Sequence, residues 1–164
     1  MMKKISLLIV LLSAVLLISG CGTSNSKKEE TKNIEGNLND IIEKVYADLP
    51  EDHTPSGLTN IELNDENIAD YIGTKDIAYK EAIARESMIG AIAHSVILIR
   101  TEKDADIQEM KETILENVNP RKWICVGVEK EDVIIKNIGD LLIVIIVEDE
   151  VGRESISEGF DKLA

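Results

Sequence analysis

Aromatic side chains are nearly absent from this chain. One Phe, one Trp and three Tyr serve 164 residues, so any core must be built from Ile, Leu and Val. Cysteine is as scarce, with Cys21 and Cys125 alone, and histidine is limited to His53 and His94. A disulfide-stapled framework is therefore excluded, and imidazole chemistry has only two places to occur. Basic residues are outnumbered, 18 against 31 acidic ones, for a formal net charge of −13. That balance argues against nucleic acid, whose phosphates demand a basic footprint, and against lying flat on anionic lipid. No EF-hand spacing is present: "LNDENIAD" (63–70) has acids but lacks the mid-loop Gly. No metal site and no cofactor are expected. Long apolar runs are confined to residues 5–18 and to "LLIVIIV" at 141–147. The second, at seven residues, is far too short to cross a bilayer.

What is present at the N-terminus is more specific. Lys3 and Lys4 precede a fourteen-residue run from Ile5 to Ile18, broken only by Ser6, Ser13 and Ala14. This fits a secretory signal peptide better than a stable span. The run ends in Leu17-Ile18-Ser19-Gly20-Cys21. An aliphatic residue, two small residues and then Cys resembles the lipobox of bacterial lipoproteins. It implies cleavage before Cys21 and a diacylglyceryl group on the Cys21 thiol. Two acyl chains give stable anchoring where one gives marginal binding. Residues 1–20 are then the signal peptide. Residues 21–37 are the lipidated Cys and a flexible, almost apolar-free tether. Residues 38–164 form the extracytoplasmic domain. Losing Lys3 and Lys4 leaves 16 basic and 31 acidic residues, a net of −15. With Cys21 lipidated, Cys125 has no partner in the chain.

The 127 residues from Leu38 to Ala164 suffice for one domain with its own core. Leu38, Ile41, Ile42, Val45, Tyr46 and Leu49 share a helical face that stops at Pro50. "EDHTPSG" (51–57) reads as a loop. Asn64 can cap a short helix carrying Ile68 and Ile72 and closed by Gly73. Residues 77–84, 88–92 and 94–102 read as strands. A helix capped by Asp104 or Asp106 follows, with Ile107, Met110, Ile114, Leu115 and Val118 as its stripe. Residues 123–128, 132–138 and 141–147 read as further strands, with a tight turn at Gly139-Asp140. "LLIVIIV" has no polar residue on either face and belongs centrally in a covered sheet. Residues 151–163 read as a helix with Ile156, Phe160 and Leu163 inward, although Gly159 counts against it.

This order predicts an α+β fold: a single domain with a mostly antiparallel sheet and flanking helices. A shift of 46 residues lays 92–117 on 138–163, so that Met110 meets Ile156 and Ile114 meets Phe160. A ββ(β)α internal duplication with a pseudo-two-fold axis is the expectation.

The lipobox, "YKEAIARESMIGAIAHSVILIR" (79–100), "ENVNPRKWICVGVE" (116–129) and "NIGDLLIVII" (137–146) together resemble the bacterial lipoproteins grouped as domain-of-unknown-function 4358. The resemblance covers roughly residues 38–163. It implies a Gram-positive-type surface lipoprotein and brings no catalytic residue with it.

Candidate sites follow from the rare residues. A nucleophilic Cys125 would need a depressed pKa and a nearby base, and His94 is the candidate for that base. On an alternating strand Cys125 instead packs beside Trp123 in a buried layer. No Gly-x-Ser-x-Gly elbow occurs, and Ser95 points away from its neighbour His94 on a strand, which argues against a serine triad. Arg121 and Lys122 would stabilise the helix C-terminus or, with Trp123, form a small cationic spot for an anionic ligand or partner. The acids at 129–132 and 148–150 read as solvated strand ends. The leading expectation is a membrane-anchored, non-enzymatic domain at the cell envelope. Its partners would be the lipid membrane, through the anchor, and an envelope protein or cell-wall ligand. An envelope hydrolase using Cys125 and His94 is the alternative.

Overall fold

Every residue of "LLIVIIV" is buried, and that one segment organises the molecule. The computed structural model describes residues 33–164; the segment expected to be a signal peptide, Cys21 and most of the expected tether lie outside the described residues. The strands are β1 (Leu58–Leu63), β2 (Tyr79–Ser87), β3 (His94–Thr101), β4 (Ile134–Ile138) and β5 (Leu141–Val147). They form one antiparallel sheet in the order β1-β2-β3-β5-β4. The helices are α1 (Leu38–Val45), α2 (Ile68–Ile72), α3 (Ile107–Asn117) and α4 (Glu150–Asp161). The fold is thus a single α+β domain, as its sequence order predicts. Among the described residues no helix is long and apolar enough to cross a membrane.

Both faces of the sheet are covered. Ile97, Ile99, Leu142, Val144 and Ile146 pack with α2 and α3, through Ile68, Ile72, Met110 and Ile114. Val96, Leu98, Ile143 and Ile145 pack with α1 and α4, through Leu38, Ile42, Ile156 and Phe160. A strand apolar on both sides is what such a two-sided core demands. Burying each of these side chains is worth about 1.5–3 kcal/mol before entropy is charged against it.

The helix ends follow local chemistry. Asn37 accepts from the N–H of Asn39 at 2.7 Å to cap α1. Asp106 accepts from Gln108 and Glu109 to cap α3. Asp149 accepts from Gly152 at 2.7 Å to cap α4. Asn67, not Asn64, occupies the position before α2, and its side chain makes no capping bond. Asn64 holds the preceding turn instead, its carbonyl accepting from Ile68 and its side chain from Glu66. Gly73 closes α2 at φ +79°, a conformation that favours glycine. Gly159, which weakened α4 on propensity alone, is where α4 meets α1. A Cβ there would land on the carbonyl oxygen of Val45.

Four expectations change. β1 has no counterpart in the sequence reading. Residues 88–92 are a bent connection between β2 and β3, held by the N–H of Ile89 donating to Ser87 Oγ at 3.2 Å. Residues 123–128 are irregular as well, because the N–H of Val128 donates to Pro120 O at 2.8 Å and curls the segment on itself. Last, strand–strand–helix does recur as β2-β3-α3 and β4-β5-α4, but α3 and α4 cover opposite faces. A two-fold axis that exchanges antiparallel β3 and β5 runs through the sheet and keeps each face on its own side. No such axis relates the halves, so the pseudo-two-fold duplication is not the architecture.

Gly159→Ala should lower stability by about 1–3 kcal/mol, because the α1–α4 contact must open to admit one methyl group. Urea unfolding midpoints of the variant and parent chains measure this, and an unchanged midpoint would overturn the close-approach argument.

Candidate functional site

The two histidines come together at one end of the sheet, where β3 begins and β5 ends. They line a cavity of about 230 Å³ with Asp52, Ile92, Glu148 and Asp149. His53 sits in a short 3₁₀ turn after α1. Its Nδ1 donates to Asp149 Oδ2 at 2.9 Å, the same oxygen that caps α4. Its Nε2 lies 3.7 Å from Asp52 Oδ2. His53 therefore ties the loop of residues 50–57 to the start of α4.

His94 is only 2 % exposed. It is the first residue of β3 and faces the α1 side, where its Nε2 lies 2.7 Å from Tyr46 Oη. Arg85 stacks over the Tyr46 ring at 4.8 Å and is held by Asn60 and Glu43. Burial, then the Arg85 charge, lower the His94 pKa to about 4 against an opposing pull from Asp149. Burial pushes the Tyr46 hydroxyl far upward. At neutral pH the pair is thus a neutral phenol bonded to a neutral imidazole. It satisfies two buried polar groups in an aliphatic core.

Cys125 is elsewhere. The N–H of Ile124 donates to Gly90 O at 2.8 Å, which fixes the loop, and Trp123 and Val126 pack on the α3 face of the sheet. His94 faces the other way. The structure does not bring Cys125 and His94 together, and a hydrolase built on that pair loses its base. Nor is Cys125 buried packing: it is exposed, at φ +63°. The irregular loop, not an alternating strand, sets its direction.

Arg121 and Lys122 also depart from expectation. Arg121 pairs with Glu129 at the surface. Lys122 turns inward, its Nζ donating to Glu86 Oε2 at 2.8 Å. Ser95 Oγ donates to the same carboxylate oxygen at 3.2 Å. The Lys122 ammonium lies 4.5 Å from the Tyr71 ring centre and 5.2 Å from that of Trp123. The cationic spot is therefore neutralised from below. Trp123 Nε1 is buried with no hydrogen-bond partner among the described residues. Support for the α3 C-terminus comes from Lys130, whose Nζ reaches Glu116 O at 3.4 Å, and from the Asn117 side chain donating to Thr113 O. The acids at 129–132 and 148–150 are partly engaged rather than merely solvated: Asp132 lies 3.5 Å from Arg153, and Asp149 is the α4 cap.

The loops that carry these residues expose apolar surface. Met88 is 69 % exposed, Ile89 44 % and Ile124 71 %, and the two loops meet at the Ile124–Gly90 hydrogen bond. Val151, exposed in the first turn of α4, lies at the same end of the sheet. A larger hollow, about 710 Å³, is at the other end, between the start of α1 and β1–β2. Its polar side chains bond one another, as Asn60 to Asn39 and Tyr79 to Asp65, both at 2.9 Å. Among the described residues no group of three or more His, Cys, Asp or Glu is placed to hold a metal ion.

Compared with family models, curated proteins and solved structures, the chain matches none.

Sequence reasoning found His94 and the 121–125 segment as unusual places but not their partners. Tyr46 was legible as part of the α1 stripe; its bond to His94 spans 48 residues and leaves no local signal. The His53–Asp149 pair, 96 residues apart, leaves none either.

The His94 shift carries a stability consequence. An ordinary histidine, near 6.5 when unfolded, takes up a proton before native His94 does at about 4. Stability is therefore full above roughly pH 6.5 and falls as pH drops towards 4, by up to about 3 kcal/mol. Urea unfolding at pH 7 and pH 5 should show this slope in the parent chain and a shallower one in His94→Gln. Equal slopes would overturn the assignment of a neutral buried imidazole.

Proposed function

We propose that this chain is a lipid-anchored lipoprotein of the extracytoplasmic membrane face that works by binding rather than by catalysis. The segment Leu17-Ile18-Ser19-Gly20-Cys21, similar to a lipobox, supports the anchoring part of this reading. The observation that carries the reading is where the chain leaves the fold. Arg100, at the end of β3, donates to Ile34 O at 2.6 Å and to Gly36 O at 2.9 Å. The N–H of Asp140 donates to the side chain of Asn33 at 3.2 Å. Residues 33–36 are thus strapped to the end of the sheet opposite the histidines and the apolar loops. β3 spans eight residues, about 26 Å at 3.3 Å each.

A lipid on Cys21 would hold the strapped end near the bilayer and leave the other end facing outward. The rare side chains suit this role. His94, His53 and Lys122 are each engaged by an internal partner, so they shape the outward end instead of offering an open nucleophile or base. Partners at the envelope, protein or cell-wall, would be met at that outward end, with the net negative shell keeping the domain off anionic headgroups.

Cys21→Ser tests the anchor. In the native host the parent chain should be found in the membrane fraction and take up labelled fatty acid. The variant should be released to the aqueous fraction without label. Membrane retention of the variant would overturn the anchoring proposal.

A further inference from the structure

Five large hydrophobic side chains stand out as exposed among the described residues, and four of them, Met88, Ile89, Ile124 and Val151, sit at the outward end of the sheet. Exposed apolar side chains concentrated on touching loops are a feature of interaction surfaces, whereas scattered single ones mean little. The two loops that present Met88, Ile89 and Ile124 are fixed to each other and to the body. Ile124 bonds Gly90, the N–H of Met88 donates to Gly57 O at 3.0 Å, and Ser87 Oγ donates to Ser56 O at 2.9 Å. The patch is therefore pre-formed, which lowers the ordering cost of binding.

The surroundings of the patch say what kind of surface fits it. Ile92 and Ala93, on the same connection as Met88, line the cavity shared with Asp52, Glu148 and Asp149. The Asp52 side chain is 82 % exposed, and Glu148 and Glu150 are exposed too. Three basic side chains at this end are matched by carboxylates, Arg121 by Glu129, Lys122 by Glu86 and Arg153 by Asp132, and Lys130 reaches the backbone of Glu116. The end is an apolar patch with a carboxylate rim whose charge is left over.

Three occupants compete. Anionic lipid is repelled by the rim. A second copy would press one carboxylate rim against another, and like charges across an interface cost affinity. A protein surface with an apolar knob among Lys and Arg matches both the patch and the rim. Resting on the outward-facing reading above, we propose that Met88, Ile89 and Ile124 dock an extracytoplasmic protein through such a basic, apolar knob. The rim steers the encounter, and the three side chains hold it.

The test uses the full chain carrying Cys21→Ser and two Trp-free amphipathic peptides with the same Leu face, one rimmed by Lys and one by Glu. Trp123, the one Trp of the chain, lies next to Ile124 and reports occupancy by its emission; calorimetry gives the affinity. The Lys-rimmed peptide should bind at least about tenfold more tightly than the Glu-rimmed one. Ile124→Ser, and Met88→Ser with Ile89→Ser and Ile124→Ser together, should weaken it about tenfold or more, and Leu115→Ser, on α3 beside Val133 and Ile135, should not. Circular dichroism and the urea midpoint check that each variant is folded; Ile124→Ser alone, at a largely exposed position, keeps the test open should the triple variant fail to fold. Equal binding by the Ser variants would mean that charge alone attracts the peptide and would overturn the proposal. So would patch-dependent dimers in sedimentation, or patch-dependent binding to vesicles of phosphatidylglycerol and phosphatidylethanolamine. Because anchoring is read from fractionation and docking from the soluble chain, either reading can fail without the other.

Discussion

The pairing of β3 with β5 is the constraint on which the rest of the molecule depends. Seven consecutive partners, from His94 opposite Val147 to Arg100 opposite Leu141, run down the centre of the sheet. Every residue of β5 and all but Arg100 of β3 are buried. Strands so apolar on both sides cannot face water on either, so two layers must cover them. The chain supplies one helix pair to each face: α2 and α3 on one, α1 and α4 on the other. Aliphatic side chains suffice for this because the space between a sheet and a helix layer is thin and regular. The chain needs one buried Phe, Phe160, to fill it.

Within this frame the few polar groups that enter the interior are each paired, and the pairs lie at the margins. His94 and Tyr46 share a hydrogen bond where β3 begins. Lys122, Glu86 and Ser95 share a charge-assisted cluster under the 121–128 loop. Arg100 holds the 33–36 strap at the opposite end and lies 2.7 Å from Glu81. Breaking one member of such a set leaves the other buried and unpaired, which costs more than the net worth of the bond. The same residues that look catalytic in a list of rare side chains are thus the ones that fasten loops to the sheet. Among the described residues Trp123 Nε1 is the exception, buried without a hydrogen-bond partner, while Asp140 Oδ1 makes no hydrogen bond but lies 3.7 Å from Arg100 Nη1.

What was legible in the sequence tracks how much of each element is decided locally. β5, β3 and α3 carry strong patterns, and the structure returns them within a few residues. β1, "LTNIEL", is an edge strand with Thr59, Asn60 and Glu62 among its apolar residues, and only its pairing with β2 makes it a strand. The 123–128 segment has high strand propensity but folds on itself through Pro120 and Val128, a contact no periodicity encodes. The apparent repeat misled for a geometric reason. The shift of 46 aligns Val96 with Leu142 and Ile97 with Ile143, yet each pair faces opposite sides of the sheet. Matching hydrophobicity is blind to facing when both faces are apolar. At the histidine end of the sheet, the rare residues told where to look, while the partners Tyr46, Asp149 and Glu86 come from distant parts of the chain.

The two ends of the sheet divide the work by polarity. At the strapped end, polar groups bond one another and the backbone of residues 33–36, and the surface is hydrophilic. At the other end, the loops bury a Lys–Glu pair beneath them and turn Met88, Ile89 and Ile124 outward. An aliphatic protein with almost no aromatics has few ways to make a sticky surface, since the Trp and Tyr that dominate interfaces are scarce here. Exposing isoleucine and methionine on loops pinned by backbone hydrogen bonds is the remaining route. A chain with a net charge of −13 can carry such a patch and stay dispersed, because each copy repels the next before the patches can meet. Acidity and apolar loops are two parts of one arrangement: the charge opposes self-association, and in the docking proposal the patch is left for a partner of the opposite sign.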